Sequence, residues 1–294
     1  MKLKTREGDS KIFQIVQKVE GENIPSNGFV LLGLPDDRGV RLSKGRVGAK
    51  AGPDAIRKAL YQMTLGVHGE LEHQKLYDFG NIKPEKTQQK TYEKIAAVAA
   101  SLLHHHCFPI ILGGGHDLSF GSLSGFLKAH PDGGIVNIDT HLDCRPPEAN
   151  GSFSSGSAFW QLFEKTHFKG KNFLEFGFQK HCNAKDHFQY LKNRGVRLVP
   201  FPGNFEGAFR PFAASHKAVA VSLDMDCVQA SEAGGVSAPT PIGYSAREVL
   251  HFVQAAASHR HLKLFEIMEV NPKHDANGCT AKLAARLIFE ILLS

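Results

Sequence analysis

The stretch Asn137 to Arg145 reads NIDTHLDCR, and within it Asp139, His141 and Asp143 are spaced i, i+2, i+4. In extended chain that spacing turns all three side chains to one face. Two carboxylates and an imidazole aimed at one point gain little unless a cation sits between them. Taken alone, the stretch also reads as a polar loop of solvated charges. Two other stretches repeat the arrangement. In VSLDMD, Val221 to Asp226, Asp224 and Asp226 share a face at the end of an apolar run. In LGGGHD, Leu112 to Asp117, His116 lies just past the apolar run FPIIL. Asp139, Asp143, Asp224 and Asp226 together carry four negative charges, which two divalent cations balance. Clustered and partly buried without cations, each carboxylate would cost several kcal/mol. With them, the cluster becomes a two-metal site that activates water for hydrolysis.

These residues need strand ends to hold them. FVLLGL, KLYDFG, FPIIL, GIVNID, NFLEFGF, VRLVPF, KAVAVSLD and LKLFEIM read as strands. Helices are expected between them, from Pro53, over about 84–106, 118–130, 183–194 and 204–214, after Ser245, and over about 277–292. Ser245 with Glu248 three residues on forms a capping box. Residues 11–20 are expected to form a short amphipathic helix. About eight strands alternating with helices imply an α/β, doubly wound, mostly parallel sheet; a closed barrel of eight β/α units is the alternative. In either, ligands gather past the C-terminal strand ends. The three clusters meet that condition, and so does Glu269 in EVNP after the last strand. No linker or internal repeat divides the chain, so residues 1–294 are read as a single domain, with 1–26 an N-terminal extension of no legible role.

The chain's 294 residues, 42% hydrophobic and 22% charged, bury a sizeable core without staples. Five cysteines with no CxxC pair point to free thiols in a reducing, cytoplasmic compartment and away from structural zinc. Cys144 and Cys227, each next to a candidate ligand, read as packing residues. The start, MKLKTREGDS, has no apolar signal region, and no stretch is apolar for long enough to span a membrane. A net charge of +6, spread without a basic run, gives nucleic acid little to hold and fits a mildly basic surface or a small anionic substrate equally well. The loop from Pro35 to Lys50 and the element after it carry Arg38, Arg41, Lys44, Arg46, Lys50 and Arg57. It is either a solvated surface loop or an anion clamp. The run His104-His105-His106 resembles a metal box, but consecutive helical residues diverge, and histidines at a helix C-terminus suit its dipole.

LGGGHD, DTHLD, SLDMD and EVNP, in this order, resemble the ureohydrolases: arginase, agmatinase and formimidoylglutamase. The resemblance runs from about residue 33 to 291. It implies a three-layer αβα domain around an eight-stranded parallel sheet, with two Mn2+ ions. One ion would take His116, Asp139, Asp143 and Asp224; the other Asp139, His141, Asp224 and Asp226; Asp139 and Asp224 would bridge. An oxygen-rich set with one imidazole per ion also suits manganese better than zinc. GVRLSKGRVGAKAGPDAIRKAL, the triple glycine before His116, Arg145 and GVSAPTP are similar to the formimidoylglutamase branch. Ser155-Gly156 stands where arginases and agmatinases usually place His-Gly. Thr140 and Gln229-Ala230 depart from the family pattern without touching a ligand.

The resemblance implies a hydrolase of linear amidines. It would cleave the formimino C–N bond of N-formimino-L-glutamate, a step of histidine degradation, to L-glutamate and formamide. Asp143 would pass a proton to the leaving amine, and Glu269 would pair with the amidinium. Arg46 or Arg41, with Arg145, are the candidates for the substrate carboxylates, beside Ser155 and Gly156; Arg145 reads equally as a partner orienting Asp143. Agmatinase, or another guanidino-hydrolase releasing urea, is the enzymatic alternative; an inactive metal-binding relative is the non-enzymatic one. A homo-trimer or hexamer is expected.

Overall fold

The computed structural model describes residues 6, 8–19 and 23–294. The chain runs β1 (Gln17–Lys18), β2 (Gly28–Gly33), α1 (Arg38–Leu42), α2 (Gly52–Leu60), β3 (Leu76–Asn81), α3 (Gln88–His104), β4 (Cys107–Leu112), α4 (Ser119–Ala129) and β5 (Gly134–Ile138). It continues with α5 (Ala158–Lys165), β6 (Phe173–Phe178), α6 (Lys185–Asn193), β7 (Arg197–Pro200), α7 (Phe205–Ala214) and β8 (Val219–Asp224). Last come α8 (Ala230–Ala233), α9 (Ala246–Ala257), β9 (Leu262–Met268) and α10 (Cys279–Leu292).

The nine strands form one sheet in the order β1-β3-β2-β4-β9-β8-β5-β6-β7. Every pairing between them is parallel. The sheet has two edges, β1 and β7, so it is open and the barrel alternative falls. Successive strand residues alternate between two cores, as the pleat requires. Leu31, Val136 and Phe265 pack with α2, α7, α9 and α10, while Val30, Ile135 and Leu264 pack with α3, α4, α5 and α6. These are the three layers expected.

Nine strands among the described residues agree with the expected sheet of about eight. Two expectations need correction. Residues 11–19 form no α-helix: a single 3-10 turn at Ile12–Gln14 precedes β1, and residue 20 lies outside the described residues. So short a segment gains little from helix formation alone. Here Ile12 is buried, its N–H donates to Met63 O (2.9 Å), and β1 pairs with β3. The basic loop is also more ordered than it reads, containing α1, and α5, which was not among the expected helices, lies between β5 and β6. The capping box is as read: Glu248 N donates to Ser245 Oγ (3.2 Å), and Ser245 N to Glu248 Oε2 (2.8 Å).

Candidate metal centre

Four strands adjacent in the sheet, β4, β9, β8 and β5, deliver the site. His116 follows β4, Asp139, His141 and Asp143 follow β5, Asp224 ends β8, and Glu269 follows β9. The glycines before His116 allow close backbone approach: a Cβ on Gly114 would lie 2.1 Å from Asp36 O.

His116 Nδ1 lies 3.2 Å from Asp139 Oδ2 and 3.0 Å from both Asp143 Oδ2 and Asp224 Oδ2. His141 Nδ1 lies 3.0 Å from Asp226 Oδ2 and 3.5 Å from Asp139 Oδ1. The six residues thus form two adjoining groups, His116–Asp139–Asp143–Asp224 and Asp139–His141–Asp226, sharing Asp139. Its two oxygens are divided between the groups, the geometry of a bridging carboxylate. Asp224 falls in the first group, through Oδ2, while its Oδ1 accepts the Asp226 N–H (2.8 Å).

The donor set fits divalent cations. His116 Nε2 is engaged by Ser222 Oγ at 2.9 Å, and Nδ1 faces the three carboxylates without a hydrogen bond. Asp226 Oδ1 is likewise buried, with no hydrogen-bond partner among the described residues. Burial opposes charge on His116, yet Asp139, Asp143 and Asp224 drive its pKa well above the ordinary value. Burial pushes the Asp226 carboxyl up to about 7 against the pull of His141, and raises Asp224 well above its usual range, with Asp226 and Asp139 adding to it. Burial also opposes charge on Asp139, but His116 and His141 hold its carboxyl below the usual range. Groups that repel in this way are relieved by cations placed between them.

The centre floors a cleft of about 380 Å³. Asp143 and Glu269 line it, and both hold positive φ (38° and 67°), a strained backbone for residues other than glycine. Glu269 Oε1 accepts the His116 N–H (2.7 Å), while Oε2 has no partner among the described residues. Burial, with the charge of Asp224, lifts the Glu269 carboxyl well above its usual range.

Arg145, Ser155 and Gly156 line the cleft wall. Gly156 leaves room for the Arg145 stem, since a Cβ there would lie 3.0 Å from Arg145 Cδ. No hydrogen bond or ion pair joins Arg145 to Asp143 among the described residues, so an orienting role finds no contact.

The basic loop departs from the reading. Arg46 turns away and donates through Nε to Val236 O (3.1 Å) and through Nη2 to Gly234 O (2.6 Å) and Val236 O (2.5 Å). Its fork is spent on backbone carbonyls. Arg41 does not line the cleft either; Lys44 does. Arg38 pairs with Asp36, and buried Arg57 with Asp78. His105 bonds its own helix through Nδ1 to Ser101 O (2.8 Å), and the histidine run joins neither ligand group. Cys144 and Cys227 are buried, free and outside both groups.

Sequence reasoning also passed over a polar row beneath the centre. Asn137 on β5 is in register with Glu175 on β6 and Ser222 on β8, and Ser222 with Glu266 on β9. All four are fully buried, and Ser122 Oγ donates to Glu266 Oε2 (2.5 Å). Glutamates inside the apolar runs FLEFGF and LKLFEIM were the available signal, since buried carboxyls need a reason.

The arginase family model matches residues 27–294. Formimidoylglutamase from Staphylococcus carnosus is 30% identical over 302 residues, covering 97% of this chain and 94% of that protein. The crystal structure of Trypanosoma cruzi formiminoglutamase with Mn2+2 superposes with a TM-score of 0.88 at 29% identity, over 97% of this chain and 98% of that one. Formimidoylglutamase from Bacillus subtilis shares the fold, with a TM-score of 0.90 at 23% identity, covering 99% of this chain and 93% of that one.

Proposed function

The chain belongs to the arginase family, and we propose that it hydrolyses the formimino C–N bond of N-formimino-L-glutamate, giving L-glutamate and formamide. The observation that carries the proposal is the pairing of two adjoining His/Asp groups with a cleft wall formed by Arg145, Ser155 and Gly156. Relatives named formimidoylglutamase match nearly the whole chain.

In this reading His116, Asp139, Asp143 and Asp224 would hold one Mn2+ and Asp139, His141, Asp226 and Asp224 the other. When bound there, the ions supply Lewis-acid activation of water. The residues do the rest. Glu269 offers Oε2 to the amidinium through charge-assisted hydrogen bonds and holds the formimino carbon above the floor. Water adds to that carbon, the C–N bond to glutamate breaks, and Asp143 carries the proton to the leaving amine. Arg145 takes a substrate carboxylate, for which its planar fork is suited.

The reading includes one domain over the chain, a homo-trimer or hexamer, and a cytoplasmic enzyme. Free cysteines support the last point. No described helix is long and apolar enough to cross a membrane.

The test is a product assay on manganese-loaded protein with N-formimino-L-glutamate, agmatine, arginine and guanidino acids in parallel. Glutamate and formamide from the first alone are expected. Urea from a guanidino substrate would overturn the substrate assignment and keep the metal chemistry. Silence on every substrate with ions bound would restore the inactive relative.

A further inference from the structure

Five non-glycine residues have positive φ among those described, and three of them, Lys44 (59°), Asp143 and Glu269, line the one cleft. Such backbone persists only where its surroundings enforce it, and it gathers at ligand sites. Asp143 and Glu269 have chemistry to do there. Lys44 has no role yet.

Its flanks are clamped. Ser43 Oγ donates to Gly39 O (3.1 Å), stands 2.6 Å from Ser155 Oγ and accepts the Ser155 N–H (3.1 Å). On the other side Arg46 N donates to Ser237 O (3.0 Å), and its guanidinium grips Gly234 and Val236. Between the clamps Gly45 N returns to Val40 O (3.0 Å). The backbone at Lys44 is therefore fixed, whereas its exposed ammonium pairs with no described carboxylate. A rigid base presenting an uncommitted charge is what an anion subsite needs.

Lys44 and Arg145 are the lysine and arginine of the cleft lining, against Glu148 on the same wall and the carboxylates of the floor. With the amidine end of the substrate at Glu269, its two carboxylates must reach the walls. One arginine fork serves one carboxylate. We propose that Lys44 is the second anion-binding residue of the cleft, taking the carboxylate that Arg145 does not hold. This rests on the dicarboxylate amidine reading above.

The test compares Lys44→Ala, Lys44→Arg and Lys44→Gly with wild type, all manganese-loaded. N-formimino-L-glutamate is set against N-formimino-4-aminobutyrate, which lacks the α-carboxylate, and N-formiminoglycine, which lacks the side-chain one. Lys44→Ala should raise KM for the dicarboxylate by roughly 10- to 100-fold, the range for a lost charged hydrogen bond. kcat should hold, and KM for one of the monocarboxylates should stay near its wild-type value. Lys44→Arg should restore most of the loss. Lys44→Gly, which suits the backbone, should melt higher than Lys44→Ala and still show the raised KM. That split separates charge from backbone strain. A KM unchanged in Lys44→Ala, or raised equally on all three substrates, overturns the assignment.

Calorimetric binding of L-glutamate supplies a readout apart from turnover. Binding to wild type that survives Lys44→Ala unweakened overturns the assignment alone. Wild type that neither binds L-glutamate nor turns over N-formimino-L-glutamate overturns the dicarboxylate reading, and this assignment with it.

Discussion

Asn137 on β5 donates from Nδ2 to both carboxyl oxygens of Glu175 on β6, at 3.2 and 3.1 Å. The same nitrogen stands 3.5 Å from Asp139 Oδ2, the oxygen turned to His116. Moving toward the strand ends on this face, the sheet passes from Ile135 and Phe173 through Asn137 and Glu175 to Asp139. A polar layer therefore separates the dry core from the candidate ligands, and Asn137 couples the two. Asn137→Leu is expected to leave the fold intact and weaken Mn2+ binding by roughly 10- to 100-fold, as lost outer partners do. Titration calorimetry on metal-free protein reads this directly; an unaltered affinity would show that Asp139 needs no support from below.

Glu175 also sets a pH dependence. Burial, with the charge of Asp139 behind it, raises its carboxyl well above the usual range despite the Asn137 hydrogen bond. With the folded pKa above the unfolded one, its contribution to stability is complete below about pH 4.3 and lost as pH rises toward the folded value. Glu175→Gln, a mimic of the protonated acid, should therefore gain on wild type steadily above that pH. Melting of metal-free protein at pH 5, 6.5 and 8 measures the gap. A flat gap would mean that Glu175 ionises like a surface carboxylate.

Asp224→Ala removes one oxygen from the His116 group and the acceptor of the Asp226 N–H. Both ions and all activity should go together. Elemental analysis finding two ions per chain in this variant would exclude a bridging Asp224. Chelation of the wild type should lower the melting point by several degrees, and added Mn2+ should restore it, because a ligand held only by the folded state stabilises that state.

Glu269→Gln keeps an acceptor for the His116 N–H and removes the charge offered to an amidinium. We expect kcat/KM to fall roughly 10- to 100-fold with metal content unchanged. A variant that loses metal instead would show that Glu269 acts by holding the His116 loop.

Arg46→Ala should destabilise by roughly 1–3 kcal/mol through unsatisfied carbonyls at Gly234 and Val236. The denaturant midpoint reports it, and a shift within error would count against the clamp. The same arginine shows where the sequence ceased to be legible. Asp139, His141, Asp143, Asp224 and Asp226 could be read because each lies at or just past the end of an apolar run. The extended-chain spacing stops at the strand ends, however: β5 closes at Ile138, Asp143 has positive φ and Asp226 sits in a 3-10 turn, so the loops and not a period of two turn these side chains together. Inside the loop of Arg41, Lys44 and Arg46 no period operates. Which basic residue faces the cleft depends on carbonyls about 190 positions away. β1 and α5 were missed for a related reason: β1 spans two residues and is held by β3, and α5 follows directly on a serine-rich loop.

β9 is the last strand in the chain, yet it lies between β4 and β8, in the middle of the sheet. β4 has no native neighbour on that side until Leu262–Met268 has been made, and β8 waits likewise. A chain emerging in order can assemble its two flanks early but must keep them apart, unjoined, until its final segment arrives. Residues brought together by β4, β8 and β5 are thus among the last parts of the molecule to meet. An interrupted chain ending before Leu262 would lose the keystone of the sheet, and with it the centre, while most of its helices and strands were already written.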